Sequence, residues 1–451
     1  MRPNRKTTFL RMRRWDTWRR KLVASPRRFL TDSCGATAIM MAVALPVMIL
    51  GMGLGAETGF QYMTQRKLQH AADLSAHAGA ARLRAGDDLT AITAAATHVA
   101  AQGGFNAVVG DIEVNTPPHS GLAANNPQSV EVILNQPQQR YFSALISDEP
   151  VLIGARAVAR VMDTGSSACV LALSPTASGA ITVSGSTTVA LNGCDIASNS
   201  NAADALLMSG TSAQLSAHCA HTVGQSVVTS QLQLSGCPAV REFAPVVRDP
   251  YADVVEPAAV GACHNGNVGS PNSTTTLTPN NDHPSGVKSM RFCGGLTVKG
   301  DVVFEPGLYI VEGGDLSIHS AGEGSSAQPS LTGSDVTLFM TGSARIVING
   351  NAALSLTAPS SGPFSGLLYF ASRSQTGITH RLSGTSGSIV QGAVYAPAST
   401  LVMTGNSKSI GGCTQIIGRF VTFTGNSTLK ADCADSGTSD ILANQTISIV
   451  E

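Results

Sequence analysis

The residues best suited to chemistry in this chain are the histidines and the cysteine of the segment HCAH, at His218, Cys219 and His221. Imidazole nitrogens and thiolate sulfurs are preferred ligands of Zn²⁺, and four of them complete a tetrahedral site. Cys263 and His264 are the nearest residues that could complete the set. Because the sequence contains no CxxC pair, we expect Cys219 to form a disulfide, and we predict no metal site here.

The densest acidic cluster is the second candidate, because enzymes that cleave polysaccharides combine clustered carboxylates with a basic residue. The cluster consists of four side chains: Asp301, Glu305, Glu312 and Asp315. They lie around the segment PGLYIVEGGD, whose Pro and Gly residues are typical of turns. No Gly-rich phosphate loop stands between a strand and a helix in the sequence. We therefore expect no enzyme activity and no cofactor.

The element that positions everything else is an apolar stretch near the N-terminus. Residues 33–56 form an uncharged run of 24 positions, long enough to cross a hydrocarbon core of about 30 Å. Pro46 lies inside this run and is tolerated within a membrane span. A cleaved secretory signal is the alternative, but its apolar region is normally shorter, at about 7 to 15 residues. We predict a permanent, single-pass transmembrane helix.

Charge is distributed unevenly, although the whole chain is formally neutral. Residues 1–28 carry 11 basic residues and one acid, a net charge of +10. Residues 29–160 carry 7 basic and 10 acidic residues, a net charge of −3. Residues 161–451 carry 11 basic and 18 acidic residues, a net charge of −7. By the positive-inside rule, the basic tail at 1–32 stays in the cytoplasm and the chain after the span is exported. The tail is an orientation signal, and we predict no nucleic-acid partner.

A helical neck and a small domain follow the span. Residues 57–86 favour helix because they contain no Pro and are rich in Ala, Leu, Gln and Arg. Small residues recur along this helix: Ala72, Ala76, Gly79 and Ala80. They allow close packing either on a partner helix or on the chain's own domain. Residues 87–162 predict an α+β domain. Its helix starts at Asp87 and Asp88 and stops at Gly103 and Gly104, its strands lie in DIEVN, SVEVIL and VLIGARAVARVM, and RYFSALIS predicts a short helix.

This region resembles the N-terminal part of TadE- and TadG-like proteins, which belong to the tight-adherence machinery that assembles Flp pili. The resemblance covers residues 35–81 and consists of a small-residue span with a central Pro, followed by a short motif. The residues that carry it are Gly35, Pro46, Glu57, Leu68, Gln69, Ala71, Ala72 and Asp73. TadE-type pseudopilins have Glu five residues after the processing Gly, where this chain has Met40, so we expect no cleavage by a prepilin peptidase.

The resemblance implies a location and partners. It implies a protein of the bacterial inner membrane, with its N-terminus in the cytoplasm and its later domains periplasmic or surface-exposed. The expected partners are other pilus assembly proteins. TadG-like proteins often carry a metal-dependent adhesion site with the pattern DxSxS. The nearest segment here, DTGSS at 163–167, has Gly165 in place of the middle Ser, so we predict no such site.

From Ser166 onward, Gly, Ser, Thr and Asn dominate, and short β-rich runs end at Gly or Asn. A [ST]-G-x motif recurs near the ends of these runs, at 184, 209, 235, 332, 341, 383, 404 and 424. Neighbouring motifs 20 to 26 residues apart match one coil of a parallel β-solenoid, in which each coil pairs with the next. An antiparallel sandwich, with a turn every 8 to 12 residues or so, is the alternative.

The predicted fold is therefore mixed: a transmembrane helix and an α+β neck domain, followed by an all-β, right-handed β-helix-like solenoid. We expect two solenoid segments, at 166–240 and 291–435. A Pro- and Asn-rich linker or excursion separates them at 241–290, and a tail follows at 436–451.

Cysteine positions test this repeat. Eight cysteines follow the span and Cys34 lies at its edge, and an even number in an oxidising compartment predicts disulfides. Coils stack about 4.8 Å apart, a separation that a disulfide can bridge. Cys413 and Cys433 each lie nine residues after the start of a TGNS motif, so we predict that they pair. Cys169, Cys194 and Cys219 are spaced by 25, and one adjacent pair of them can bond. The remaining pairs that we favour are Cys169 with Cys194, Cys219 with Cys237, and Cys263 with Cys293.

These features predict a non-catalytic, membrane-anchored component of tight-adherence pilus assembly, whose exported solenoid serves structural or partner interactions. The alternative is a surface protein that binds or cleaves polysaccharide with its solenoid and uses a pilus-type anchor.

Overall fold

The computed structural model describes ten stretches of the chain: 35–163, 167–270, 273–319, 330–348, 352–384, 389–405, 407–408, 413–430, 433 and 436–451. The predictions made for the basic tail at 1–32, for Cys34 and for Gly165 lie outside these residues. So do the side chains of Gly35 and Asp163.

Helix α1 joins the predicted span and neck into one element, Gly35–Ala85, with Pro46 inside it. Its part from Thr37 onward is long and apolar enough to cross a membrane. The helix ends where Gly86 takes a left-handed conformation, with φ of 83°, which glycine adopts without steric cost. A single continuous helix therefore links the apolar segment to the folded domain.

Helix α2, Leu89–Gln102, has the ends that the sequence predicts. The Asp88 side chain accepts a hydrogen bond from the Ala91 N–H at 2.9 Å, which satisfies a free donor of the first turn. At the other end the chain turns at Gly104, whose φ is 97°.

Four antiparallel strands complete this domain, in the order β1-β2-β3-β31. They are β1 (Asp111–Asn115), β2 (Ser129–Gln138), β3 (Val151–Asp163) and β31 (Gln445–Ile449). The segment RYFSALIS, predicted to be a short helix, contains only a 3₁₀ turn at Ser143–Leu145. The predicted tail at 436–451 is corrected in part, because its residues 445–449 form β31 on the edge of β3.

The core of the domain forms between α1, α2 and the sheet. The small residues of α1 face inward: Ala72, Ala76 and Ala80 are fully buried with Ile92 of α2 and Val130 of β2. A Cβ at Gly79 would lie 2.9 Å from the Val130 side chain, so the close approach requires glycine. The small-residue face therefore packs on the chain's own domain, which was one of the two alternatives.

The first group of strands after this domain lies within residues 168–234. It consists of β4 (Ala168–Ala172), β5 (Ile181–Ser184), β6 (Thr188–Asn192), β7 (Asp195–Ser198), β8 (Leu206–Ser209), β9 (Gln214–Ala217), β10 (Ala220–Thr222), β11 (Ser226–Val227) and β12 (Leu232–Leu234).

The second group lies within residues 267–430. It consists of β13 (Asn267–Val268), β14 (Thr274–Leu277), β15 (Asn281–Asp282), β16 (Lys288–Phe292), β17 (Leu296–Lys299), β18 (Asp301–Phe304), β19 (Gly307–Glu312), β20 (Leu316–His319), β21 (Ser330–Gly333), β22 (Val336–Thr341), β23 (Ile346–Ile348), β24 (Ala353–Thr357), β25 (Leu367–Ala371), β26 (Thr379–Gly384), β27 (Ile389–Gly405), β28 (Ser407–Lys408), β29 (Thr414–Phe423) and β30 (Ser427–Lys430). Strands β13 to β16 occupy part of the predicted linker at 241–290.

Nearly all these strands pair in parallel and fall into three columns. Column A is β16-β19-β22-β25-β27-β29-β4-β7-β10. Column B is β13-β17-β20-β23-β26-β27-β29-β5-β8-β11. Column C has two described parts, β14-β18-β21-β24-β27 and β28-β30-β6-β9-β12. Among the described strands of the two groups, only β15 and β16 pair antiparallel, so the sandwich alternative is wrong for them.

The two groups stack in the reverse of their chain order. Strand β29, at the end of the second group, pairs with β4 and β5, at the start of the first. The first group therefore extends the stack in one direction from this junction, and the second group extends it in the other. The chain between them therefore has to extend from one end of the stack to the other.

Residues 242–262, which we call the crossing segment, extend along column A between the two ends of the stack. The Phe243 N–H donates to the Gly224 carbonyl beside β10, while the Arg291 side chain donates to the Gly261 carbonyl at β16. Between these points Val247 and Tyr251 are buried among residues of the column, including Phe370 and Tyr395. The predicted excursion therefore packs on column A and covers the side of these strands that faces away from the core.

This cover explains why the columns differ in sequence. The column A runs ACVLA and LLYFA are buried at every position, since they have the core on one side and the crossing segment on the other. The column B runs ITVS and LLMS alternate between buried and more exposed positions because only one side faces the core.

Candidate functional site at the exit of the apolar helix

The family-motif residue Glu57 marks the point where α1 leaves its apolar segment. It is 5% exposed, whereas large apolar side chains on the preceding turns are mostly exposed. Its carboxylate accepts hydrogen bonds from the N–H groups of Tyr141 (3.2 Å), Phe142 (2.8 Å) and Ser143 (2.7 Å). It also accepts one from the Ser143 hydroxyl at 2.6 Å. Glu57 thus holds residues 139–149, which we call the docking loop, against the helix.

Aromatic contacts reinforce this attachment on both sides of Glu57. The rings of Phe60 and Tyr141 meet edge to face, with 6.3 Å between centroids. The Phe142 ring lies over Gly53, where an added Cβ would come within 2.3 Å of it. Gly53 is therefore needed for the ring to reach the helix. Sequence patterns predicted neither contact, because the two partners are more than 80 residues apart.

Five of the remaining motif residues, Leu68, Gln69, Ala71, Ala72 and Asp73, support the packing of α1 on its domain, whereas Pro46 is exposed within the apolar segment. Leu68, Ala71 and Ala72 are buried in the core. The Gln69 amide donates to the Arg156 carbonyl of β3 and to the Asp73 carboxylate, both at 2.8 Å. The roles of these five residues are structural, since their side chains contact the chain's own fold.

Arg156 connects three parts of the domain through its guanidinium. It contacts Glu131 of β2 at 2.7 Å and the C-terminal residue Glu451 at 2.6 Å. Burial opposes ionisation of Glu131, but bonds from Asn115, from the His119 N–H and from Arg156 together lower its pKa. The bond from Arg156, with a further bond from the Ala123 N–H, also lowers the pKa of Glu451. The network ties Glu451 to the domain that carries α1.

The HCAH segment forms an internal network in the first group. The buried carboxylate of Asp195 contacts His218 Nδ1 at 2.9 Å and His221 Nε2 at 3.1 Å, and accepts the Cys219 N–H at 2.9 Å. Asp195, His218 and Cys219 place possible ligand atoms within 4.8 Å of one another, but the Cys219 sulfur is bonded to Cys237. Asp195 was not predicted to belong to this network. Its distance of 23 residues from His218, close to one repeat, was the signal that could have found it.

Cys263 and His264 do not join this network. Cys263 is bonded to Cys293, and the His264 ring lies 6.3 Å from that of Phe292 in β16.

The acidic cluster is spread along neighbouring strands. Glu312 contacts Arg291 at 2.5 Å and Asp315 contacts Arg345 at 2.9 Å, in each case between stacked strands or their ends. Asp301 accepts hydrogen bonds from Ser330. Each of these contacts joins one repeat to the next.

Four disulfides join successive repeats: the pair predicted from the TGNS phase and the three pairs that we favour. They are Cys169–Cys194, Cys219–Cys237, Cys263–Cys293 and Cys413–Cys433, with Cα separations of 5.7, 5.3, 5.5 and 4.7 Å.

Comparison with known proteins gives a match at the N-terminal end of this site. The Flp pilus-assembly TadE/G-like family matches residues 35–82. None of the curated proteins searched matches the chain. Among solved structures, the crystal structure of the competence-associated pilin ComZ from Thermus thermophilus is similar at 12% identity and a TM-score of 0.19. The similarity covers 77% of this chain and 85% of that one, and it is too weak to carry an argument. Residues 35–82, which include Glu57 and most of α1, therefore form a TadE/G-like pilus-assembly segment.

Proposed function

We propose that the protein is a non-catalytic, membrane-anchored component of Flp-type pilus assembly. The observation that carries the proposal is the TadE/G-like match over residues 35–82, which coincides with the described part of the apolar helix and its attachment to the domain. The continuous α1 helix, with Glu57 bonded to the docking loop, supports an anchor that is joined directly to the domain after it.

We also propose that the two strand groups form one β-solenoid. Parallel pairing of nearly all these strands with a strand about one repeat away supports it, as do disulfides between successive repeats. With the crossing segment as a cover, such a solenoid would offer a long, stiff structure for contacts with other pilus components.

The proposed location is the inner membrane, with the N-terminus cytoplasmic and the domains after α1 periplasmic. The single apolar helix and the +10 charge of residues 1–28 support this orientation. A reporter active only outside the cytoplasm should work when fused after Ala81 and fail when fused before Thr31. The reversed result would overturn the orientation.

Non-catalytic action is proposed because the acidic cluster connects repeats and the HCAH cysteine is bonded in a disulfide. The polysaccharide alternative finds no comparable support among the described contacts. It remains the outcome to be tested against the pilus role.

Co-purification from intact membranes tests the function. The full chain, cross-linked in cells and isolated in detergent, should bring down other Flp pilus assembly proteins, while an unrelated single-pass protein of similar abundance should not. Deleting the gene should abolish Flp pili, and the wild-type gene should restore them. Normal pili in the deletion strain, or recovery of carbohydrate-processing enzymes alone, would refute the proposal.

A further inference from the structure

The docking loop exposes an unusual amount of apolar surface for its length. Leu145 and Ile146 are 78% and 82% exposed, and Tyr141 and Phe142 are also exposed. These four residues fall within six consecutive positions. A soluble surface rarely presents such a cluster in water without a partner.

The position of the loop on α1 indicates the partner. Phe142 lies over Gly53, four residues before Glu57 and so about 6 Å deeper along the helix axis, within the apolar run at 33–56. The loop therefore sits beside the last turn of the proposed span. Its exposed side chains continue the exposed apolar surface of Met52 and Leu54.

Polar groups at the same level are suited to the boundary between lipid and water. The Glu57 carboxylate points towards the docking loop and accepts hydrogen bonds from three N–H groups and one hydroxyl. Its negative charge is therefore stabilised by hydrogen bonds and is not exposed to lipid. Tyr62 is exposed on the next turn, with the Arg66 guanidinium 5.7 Å from its ring centre. Aromatic and long basic side chains are typical of this boundary.

We propose that the docking loop is a second membrane contact: it inserts Phe142, Leu145 and Ile146 into the lipid boundary beside α1. Glu57 is the positioning residue that fixes the loop at this depth. With two contacts, the domain would be held at a set height and rotation on the bilayer, which a single helix could not ensure. This inference rests on the proposed membrane span.

Depth-dependent fluorescence quenching tests the contact. The full-length protein, with Cys34→Ser to remove the thiol outside the four disulfides, is placed in vesicles of phosphatidylethanolamine and phosphatidylglycerol. A polarity-sensitive dye is attached through Ile146→Cys. Lipids that carry a quencher near the headgroup should quench it strongly, its emission should shift to the blue, and iodide in the water should quench it little.

Leu122→Cys is the matched control, because Leu122 is an equally apolar side chain, 98% exposed on the same domain. It lies on the loop after β1, at the end of the sheet away from the docking loop. A dye there should be quenched by iodide and not by the lipid quencher. Glu57→Ala should lower the lipid quenching at position 146 towards the value at position 122.

A dye at Val43→Cys, within the span, tests the membrane span separately from the loop contact. If lipids quench position 43 but position 146 behaves like position 122, the loop proposal is wrong and the membrane anchor stands. If lipids do not quench position 43, the span itself fails. If position 146 is shielded from both quenchers, a protein covers the loop, and this too overturns the lipid contact.

Discussion

Replacing Tyr251 with Ala should detach the crossing segment from column A. The buried Tyr251 ring packs on Tyr395 with 5.5 Å between centroids. Its hydroxyl donates to Gln415 Oε1 at 3.3 Å and accepts the Ser439 N–H at 3.1 Å. The substitution removes both hydrogen bonds and leaves a cavity the size of a ring at the centre of the segment.

The size of the effect follows from these contacts. Truncating a buried aromatic side chain costs about 3–5 kcal/mol, and its lost hydrogen bonds add about 1 kcal/mol each. Because about 1.4 kcal/mol corresponds to one decade, a loss of about 5–7 kcal/mol raises the detached population about 10⁴- to 10⁵-fold. Tyr251→Phe keeps the ring but loses both hydrogen bonds, about 2 kcal/mol, and should raise that population only about 30-fold.

Amide hydrogen exchange of the full-length protein in detergent measures the detached population. The Val254 N–H donates to the Tyr251 carbonyl at 3.1 Å and the Ala252 N–H donates to the Asp249 carbonyl at 3.3 Å, so peptides over 247–259 report directly. They should exchange much faster in Tyr251→Ala than in Tyr251→Phe. Phe243→Ala, at an exposed position of the same segment, should change little. If the Tyr251→Ala protein exchanges at the wild-type rate, the segment is not held by this ring and the reasoning fails.

Three further predictions follow from buried charge, pH and cross-linking. Arg156→Ala should destabilise the membrane-proximal domain by about 2–4 kcal/mol, because it removes a partner of the buried Glu131 carboxylate. Thermal unfolding measures this loss, and Arg160→Ala, at an exposed position, should change the unfolding temperature little. Burial, with a contribution from the nearby Arg345 charge, lowers the pKa of His380 from 6.5 to about 4, so the unfolded chain binds this proton first. Stability should therefore fall by about 3 kcal/mol as the pH drops from 6.5 through 4, and His380→Gln should flatten that part of the pH profile; an unchanged profile would contradict the assignment. Replacing both Cys413 and Cys433 with Ala should lower stability by about 3 kcal/mol because it opens a loop of 20 residues, and an unaltered urea midpoint would argue against that role.

Local patterns in the sequence were sufficient for several elements. The uncharged run at 33–56 predicts a spanning helix by its length alone, and Asp88 and Gly104 bound α2 through capping rules that act within one turn. The Cys413–Cys433 pair could be predicted because both residues lie at the same distance after a TGNS motif, which brings them to the same phase of adjacent repeats. In each case the relevant interaction depends on residues nearby in the chain, or at a fixed interval from one another.

Contacts without a fixed interval were decided only by the tertiary structure. No local signal says that β29 stacks on β4, that residues 445–449 complete the sheet at β3, or that Tyr251 covers Tyr395. The hydrogen bonds from the docking loop to Glu57 are of the same kind, since a carboxylate accepts any N–H that the fold delivers. The composition of the segments determines which surfaces need to be buried. Which surface covers which depends on the free energy of the whole folded chain, and therefore appears only when all the segments are packed together.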